Sequence, residues 1–463
     1  MKLEQSMFRE YDIRGRESPE ELNEKSIEHI TRGFGALLRE KGITQVVVGH
    51  DARGTSKAFY AIALQTLKDS GLEVSAIGVC ITPMGYWAQY HLQVPGLCMI
   101  TASHNPTGWN GLKLGCGLSK TLLPDEVQHL YSIIEREAYV TGPGSIKEET
   151  IISAYYSDLV SRAPIQHPLK VLVNTGNGTA GLFAPVLLRQ AGCEVVEHYT
   201  EVDPTYPHYT ANPDGTAMMQ DTGNQTRLNQ CDVGLAFDGD GDRLGVVDEL
   251  GQTVWPDRYM ILLSRLMLRE KPGAKIIFDV KVSEALPEDI ALHGGVPIMW
   301  RTGHSYIKAK LAEEEAALAG EMSGHIFYNE NFYGFDDAGF AALKLLQYLS
   351  TESKKLSELI AETPYYQSTP TIQVRTTDAE KYGIVERLTA EFKQDGFRVV
   401  DINGARVYTP DGWGLVRASS NTPTLVLRFE SKTTEGLEKI KTFFEGRLEK
   451  QGIAKAAWDT SGN

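Results

Sequence analysis

Cysteine is scarce in this chain: Cys80, Cys98, Cys116, Cys193 and Cys231 make an odd number, with no C-x-x-C spacing. That excludes a disulfide framework and a cysteine zinc site, and makes the reducing cytoplasm the expected setting. No apolar run approaches the roughly 20 residues of a membrane span. The start, Met1-Lys-Leu-Glu-Gln5, lacks the apolar core of a secretory signal. Positive charge is in deficit, with 46 Lys and Arg against 60 Asp and Glu and a formal net charge of −14. Nucleic acid and anionic membranes are therefore excluded as expected partners, and an anionic small molecule must be drawn in by a local basic cluster. Arg14, Lys113, Arg243, Arg258, Lys281 and Arg417 are the cations expected to build one. No G-x-S-x-G elbow occurs, which counts against a serine hydrolase.

What is present is concentrated in two short segments. In Asp238-Gly-Asp-Gly-Asp-Arg243 three carboxylates alternate with glycines. The small residues let the backbone turn tightly and bring oxygen ligands onto one hard cation, most simply Mg²⁺. Without a cation such carboxylates repel each other, so a solvated acidic turn is the weaker alternative. An EF-hand would place ligands at Asp238, Asp240, Asp242 and Glu249, but it needs Gly where Arg243 stands. Its flanking helices are also missing, since Val233-Gly-Leu-Ala-Phe237 and Leu244-Gly-Val-Val247 read as buried strands. The other segment, Thr101-Ala-Ser-His-Asn-Pro106, follows the apolar run Leu97-Cys-Met-Ile100 and offers the Ser103 hydroxyl at a strand end. A nucleophilic hydroxyl together with a carboxylate cage is the equipment of phosphoryl transfer.

Both segments match, letter for letter, the T-A-S-H-N-P and D-G-D-G-D-R loops of the α-D-phosphohexomutase superfamily, which the chain resembles. Gly320-Glu-Met-Ser-Gly-His325 looks like that family's sugar-binding loop, and Arg417-Ala-Ser-Ser-Asn-Thr-Pro423 like its phosphate-binding loop. In chemical terms Glu321 and Ser323 suit vicinal sugar hydroxyls, and Arg417 with nearby hydroxyls suits a dianionic phosphate. Relatives more often order the phosphate loop R-x-S-N-T, so Ser419, Ser420, Asn421 and Thr422 are all carried as candidates. Tyr11 and Arg14, in Tyr11-Asp-Ile-Arg-Gly15, resemble cleft residues of the family, and His304 either binds phosphate or caps a helix.

The resemblance implies a phosphoserine at Ser103, Mg²⁺ held by Asp238, Asp240, Asp242 and the Ser103 phosphate, and a hexose 1,6-bisphosphate as activator and intermediate. It implies interconversion of hexose 1- and 6-phosphates. Arg14, His104, Lys113 and His325 are the candidates for proton transfer, with Lys113 and His325 favoured and Arg14 as electrostatic support. Met322 resembles the phosphomannomutase/phosphoglucomutase branch, so sugar phosphates of mannose and glucose are the expected small-molecule partners. Phosphoglucosamine mutase, and a non-catalytic phosphosugar- or Ca²⁺-binding protein, stand as alternatives. Oligomeric state is left open, with a monomer sufficient.

At 463 residues and 42% apolar content the chain is too long for one ordinary core. Apolar runs at 46–48, 74–79 and 97–100 alternate with helical stretches such as 57–70, and the pattern returns at 169–173 and 232–237 and again at 275–278 and 296–300. This predicts an α/β protein of three similar mixed α/β domains, 1–148, 149–250 and 251–364. A smaller α+β domain, 365–463, follows, with strands near 371–375, 415–416 and 425–428 and helices near 378–394 and 434–450. The resemblance implies that the four surround a central cleft, with one motif in each.

Overall fold

The structure, a computed structural model, describes residues 3–420, 422–454 and 458–459. Its strands form four separate sheets that follow one another along the chain. In the first, strands Gly96–Ile100, Gln45–His50, Glu73–Val79 and Ser145–Glu148 run parallel, while Trp109–Cys116 and Ile13–Arg16 add antiparallel at one edge. Alternation along Gln45–His50 explains the layering. Val46 and Val48 face helices carrying Ile30, Phe34 and Ala63, whereas Val47 joins Met84 and Trp87 in a different core. A sheet covered on both faces needs strands apolar on both, which is why these runs are conspicuous in the sequence.

The second sheet orders Thr253–Val254, Leu244–Asp248, Val233–Phe237, Lys170–Asn174 and Glu194–His198, and the third Val296–Trp300, Lys275–Asp279, Leu318–Gly320 and Ile326–Tyr328. Thr253–Val254 lies just past the expected boundary at residue 250 yet pairs within the second sheet. The helical segment after Lys170–Asn174 begins as a short 3-10 turn, Thr179–Leu182, with the α-helix following at Ala184–Gln190. The fourth sheet is antiparallel among its described pairs and packs with helices Lys381–Gln394 and Thr434–Lys450. Its core of Val374, Leu388, Phe392, Val416, Leu427 and Phe444 is its own. By contrast one continuous core runs through the first three sheets, joining Val47, Leu235 and Phe278. The chain is thus three α/β units fused by shared apolar packing, followed by a C-terminal α+β unit with a separate core.

Contact between the third and fourth units combines a small apolar cluster, Val280 with Trp413 and Leu415, with polar pairs. Arg406, fully buried, donates to the carbonyls of Val280 and Val282 and to Glu284, and lies 3.6 Å from the Trp413 ring centre. Arg428 donates to Asp257. These bonds offset the cost of burying the two guanidinium groups, although Nε of each is buried without a partner.

One buried carboxyl sets a testable pH response. Asp337 caps helix Ala338–Thr351, accepting from the Phe340 amide at 2.9 Å and from the Tyr155 hydroxyl at 2.8 Å. Burial pushes its carboxyl up from the usual 3.8 to about 7. The folded state then holds a proton that the unfolded chain has lost, so stability falls as pH rises from about 4 towards and through 7. Asp337→Asn, which keeps an acceptor for the amide, should remove this part of the fall. The check is the difference in melting temperature between variant and wild type, expected to move in the variant's favour between pH 5 and pH 8.

Candidate active site

Each loop singled out in the sequence is the connection between two neighbouring antiparallel strands. Residues 101–108 join Gly96–Ile100 to Trp109–Cys116, and 238–243 join Val233–Phe237 to Leu244–Asp248. Residues 321–325 join Leu318–Gly320 to Ile326–Tyr328, and the loop after Arg417 joins Gly412–Ala418 to Thr424–Ser431. The same hairpin position in four sheets delivers four loops to one region.

Ser103 takes a left-handed backbone conformation, φ 51°, that a residue with a side chain rarely adopts. Its amide donates to Thr101 Oγ1 at 2.9 Å. Arg53 fixes the rest of the loop, donating to the carbonyls of Ser103, Asn105, Pro106 and Trp109. Backbone strain held by so many constraints is characteristic of functional loops. The result aims Ser103 Oγ at Asp238 Oδ2, 3.2 Å away, and places it 3.0 Å from His104 Nδ1. Of the four proton-transfer candidates, then, His104 lies against the nucleophile. Burial, then Arg243 and Arg14, depress its pKa well below the ordinary histidine value, which keeps the ring neutral and able to accept a proton.

Asp238, Asp240 and Asp242 are each 0% exposed. Gly239 is required, because a Cβ there would come within 2.5 Å of the Ser103 carbonyl oxygen. Asp238 Oδ1 accepts from the amides of Asp242 and Arg243 at 3.0 and 3.1 Å, so the loop folds around its own first carboxylate. Burial, then Asp242 and Asp240, push the Asp238 carboxyl up. One carboxylate oxygen of Asp240 and one of Asp242 are buried without a hydrogen bond. Lys113 Nζ lies 2.8 Å from Asp240 Oδ2 and also contacts Asp242. Burial opposes its charge, but Asp240 and Asp242 prevail and hold the ammonium well above its usual pKa. A cluster of oxygen donors with orphaned buried lone pairs fits a hard divalent cation, and the three ligand atoms lie within 4.8 Å of one another.

Cations surround this centre. Arg14 is held by Asp12 at 2.7 Å and donates to Asn105 Oδ1 at 2.7 Å. Arg243 Nε donates to His325 Nε2 at 3.0 Å, while His325 Nδ1 is 2.9 Å from Asp336 and 3.6 Å from Asp242. The His304 ring packs edge-on to Tyr11 and lies 5.5 Å from that of His325. Burial, then Lys308 and Lys113, hold His304 neutral, and burial pushes the Tyr11 hydroxyl up.

On the third sheet Glu321 is buried and accepts from the Gly303 amide at 2.5 Å. Ser323 is half-buried beside it. Lys281 lies 3.5 Å from Asp279 and lowers the Glu321 pKa, which burial raises more strongly. The Leu244 amide donates to the Gly324 carbonyl, stitching this loop to the aspartate loop. On the fourth sheet Arg417 is buried with its Nε unpaired, and Thr422 Oγ1 donates to Ser419 Oγ at 2.8 Å with Ser420 half-buried between them. Asn421 lies outside the described residues.

Arg258 does not join the cluster. Its guanidinium donates to the carbonyls of Ile360 and Pro364 and to the Thr363 hydroxyl, so three of its donors pin the segment entering the C-terminal unit. Conversely, Arg53, Asp12, Asn105 and Asp336 shape the site without having been selected from the sequence. Asn105 stood within a recognised loop and Asp12 two residues from Arg14, but Arg53 and Asp336 carry no local signal, because the site groups they hold are distant along the chain.

Comparison with known proteins places this geometry in a family. The models "Phosphoglucomutase/phosphomannomutase, alpha/beta/alpha domain I", "domain II" and "domain III" match residues 5–141, 153–251 and 255–366, and the family's "C-terminal domain" matches 372–446. The chain is 39% identical over 446 residues to a phosphomannomutase/phosphoglucomutase of Pseudomonas aeruginosa, covering 96% of each. It is 37% identical over 451 residues to a phosphoglucomutase of Neisseria gonorrhoeae, covering 96% of this chain and 97% of that one. The crystal structure of a phosphoglucomutase/phosphomannomutase family protein from Burkholderia thailandensis superimposes with a TM-score of 0.92 at 37% identity, covering 97% of this chain and 99% of that one. Among the described residues no helix is long and apolar enough to cross a membrane.

Proposed function

Since this chain belongs to the phosphoglucomutase/phosphomannomutase family of intramolecular phosphotransferases, which act on sugar phosphates, we propose that it interconverts the 1- and 6-phosphates of mannose and glucose through a phosphoserine at Ser103. The observation that carries the proposal is the approach of Ser103 Oγ to Asp238, 3.2 Å apart, from loops of two different sheets. A side chain that only capped its own turn would have no reason to meet a carboxylate cage.

In this reading Mg²⁺ bound by Asp238, Asp240 and Asp242 supplies positive charge beside the phosphoryl oxygens. Arg417, with Ser419 and Thr422, grips the phosphate already on the sugar, and Glu321 with Ser323 takes two ring hydroxyls. The opposite hydroxyl of the sugar attacks phosphorus, the P–O bond to Ser103 breaks, and a 1,6-bisphosphate forms. The sugar hydroxyl gives its proton to His325, and the departing serine oxygen takes one from the Lys113 ammonium held at the aspartate cage, with the neutral His104 ring hydrogen-bonded beside that oxygen. Arg14 and Arg243 hold the phosphoryl oxygens. The bisphosphate turns end for end, and its other phosphoryl group returns to Ser103 by the same steps in reverse. Hydroxyls at C3 and C4 are common to glucose and mannose, so a loop gripping those two accepts both sugars. The five cysteines are all unpaired, which suits the cytoplasm.

The test is a phosphorus NMR time course with Mg²⁺ and a trace of hexose 1,6-bisphosphate, using mannose 1-phosphate, glucose 1-phosphate and glucosamine 1-phosphate in separate tubes. Conversion of the first two to 6-phosphates without release of free phosphate is expected. Turnover of the glucosamine ester alone would replace the proposal with a phosphoglucosamine mutase. Binding without turnover in any tube would replace it with a binding protein.

A further inference from the structure

One side chain touches both halves of the binding chemistry. Asn403 lies in the turn between strands Arg398–Val400 and Ala405–Thr409. Gly404, next to it, has φ +89°, and a Cβ there would meet the Val416 carbonyl oxygen at 2.4 Å, so only glycine lets the turn pass this close to the neighbouring strand. The path aims Asn403 Oδ1 at two donors from different units: Arg417 Nη1 at 2.9 Å and the backbone N–H of Thr302 at 3.3 Å. Thr302 in turn donates through its hydroxyl to Asp279 at 2.8 Å, and the next amide, Gly303, donates to Glu321 at 2.5 Å. Arg417 is itself buried, with its Nε still unpaired.

A single amide oxygen therefore orients the guanidinium of the C-terminal unit and anchors the loop that holds the Glu321 carboxylate. We propose that Asn403 is a positioning residue that locks the phosphate fork to the sugar-binding loop, so that a sugar phosphate is gripped at both ends only when these two units are joined through it. This rests on the reading of Arg417 and Glu321 as the two ends of the binding site. An unbridged Arg417 still attracts phosphate, but its fork is free to swing, and the distance from phosphate to sugar loop is no longer fixed. The loss should fall on ligands that span both ends and spare ligands that occupy only one, which separates a positioning role from a general weakening of the turn.

The experiment compares affinities of the full chain for glucose 1-phosphate and for inorganic phosphate by calorimetry, in wild type, Asn403→Ala and Asn403→Asp. Losing an acceptor shared with a charged donor should shrink the advantage of glucose 1-phosphate over inorganic phosphate roughly tenfold in the alanine variant. The aspartate variant keeps an oxygen facing both donors and should restore that advantage to within about threefold. Hydrogen exchange at the amides of Thr302 and Gly303 should quicken with alanine and recover with aspartate. If the alanine variant does not fold, Asn403→Ser, too short to reach both donors, is read in its place. An alanine or serine variant whose affinity ratio stays within twofold of wild type overturns the proposal, as does an aspartate variant no better than alanine. Because the readout is binding, a wild type that binds glucose 1-phosphate but never isomerises it would defeat the mutase reading and leave this one to be judged on its ratio.

Discussion

Ser103→Ala is expected to lower turnover of glucose 1-phosphate and mannose 1-phosphate by at least about 10³-fold while leaving their binding nearly unchanged. The split follows from where the groups lie. Ser103 Oγ is the hydroxyl held against Asp238, and its immediate neighbour His104 is a neutral imidazole that can move a proton but stands beside the cage rather than in it. Affinity in the proposed mechanism comes from Arg417, Glu321 and their partners, on other sheets. The loop should keep its shape without the hydroxyl, because Arg53 grips only carbonyl oxygens and the Ser103 amide, not its side chain, bonds Thr101. Steady-state rates with added 1,6-bisphosphate, alongside calorimetric binding of glucose 1-phosphate, provide the check. A variant within tenfold of wild-type turnover would remove Ser103 from the chemistry.

The second large effect has two signs. Lys113→Met should reduce turnover by at least about 10²-fold, yet bind a divalent cation about tenfold more tightly than wild type. In this structure the ammonium lies between Asp240 and Asp242, both fully buried, and among the described residues no other lysine pairs with them. A cation arriving at the three carboxylates must share them with that ammonium, and like charges a few ångströms apart in a buried site repel strongly. Methionine fills similar space without charge, so repulsion among the carboxylates is left for the incoming ion to relieve. The cation-free variant should also melt below the wild type, since removing one partner of a buried ion pair costs about 3–5 kcal/mol, and saturating Mg²⁺ should close most of the gap. Calorimetry with Mg²⁺ and melting curves with and without it test both arms. Unchanged or weaker cation affinity would show that the lysine helps to bind the ion rather than competing with it.

What could be read before the structure, and what could not, divides by distance along the chain. The aspartate loop was legible because its ligands sit on alternate residues and its glycines are demanded by contacts as close as that of Gly239 to Ser103. Strands such as Gln45–His50 and Lys275–Asp279 announced themselves as unbroken apolar runs, as strands covered on both faces must. Trp109–Cys116 was harder to see, since only Leu112 and Leu114 face the core while Asn, Gly and Lys alternate with them and Lys113 enters the cage. Arg258 shows the opposite failure: composition counts a cation but not the carbonyls that already claim it. Asp336, Arg53 and Asn403 act across separations that no local pattern encodes, and only the assembled fold brings their partners to them.

Four hairpin loops, each carried by its own sheet, also impose an order in time. During synthesis the Ser103 loop emerges first and the aspartate loop next, so a nascent chain can assemble the nucleophile and its carboxylates long before anything exists to hold the far end of a substrate. The strand Thr424–Ser431, which closes the last hairpin, follows the other three loops along the chain. A chain ending just short of it would contain Ser103 and the three aspartates, yet lack Arg417 in a finished fork. On the proposed mechanism, a phosphoserine in such a fragment would face water or stray alcohols with no sugar held in place. If Arg417 grips the substrate as proposed, completion of the final hairpin is the step at which the protein becomes selective about what receives a phosphoryl group.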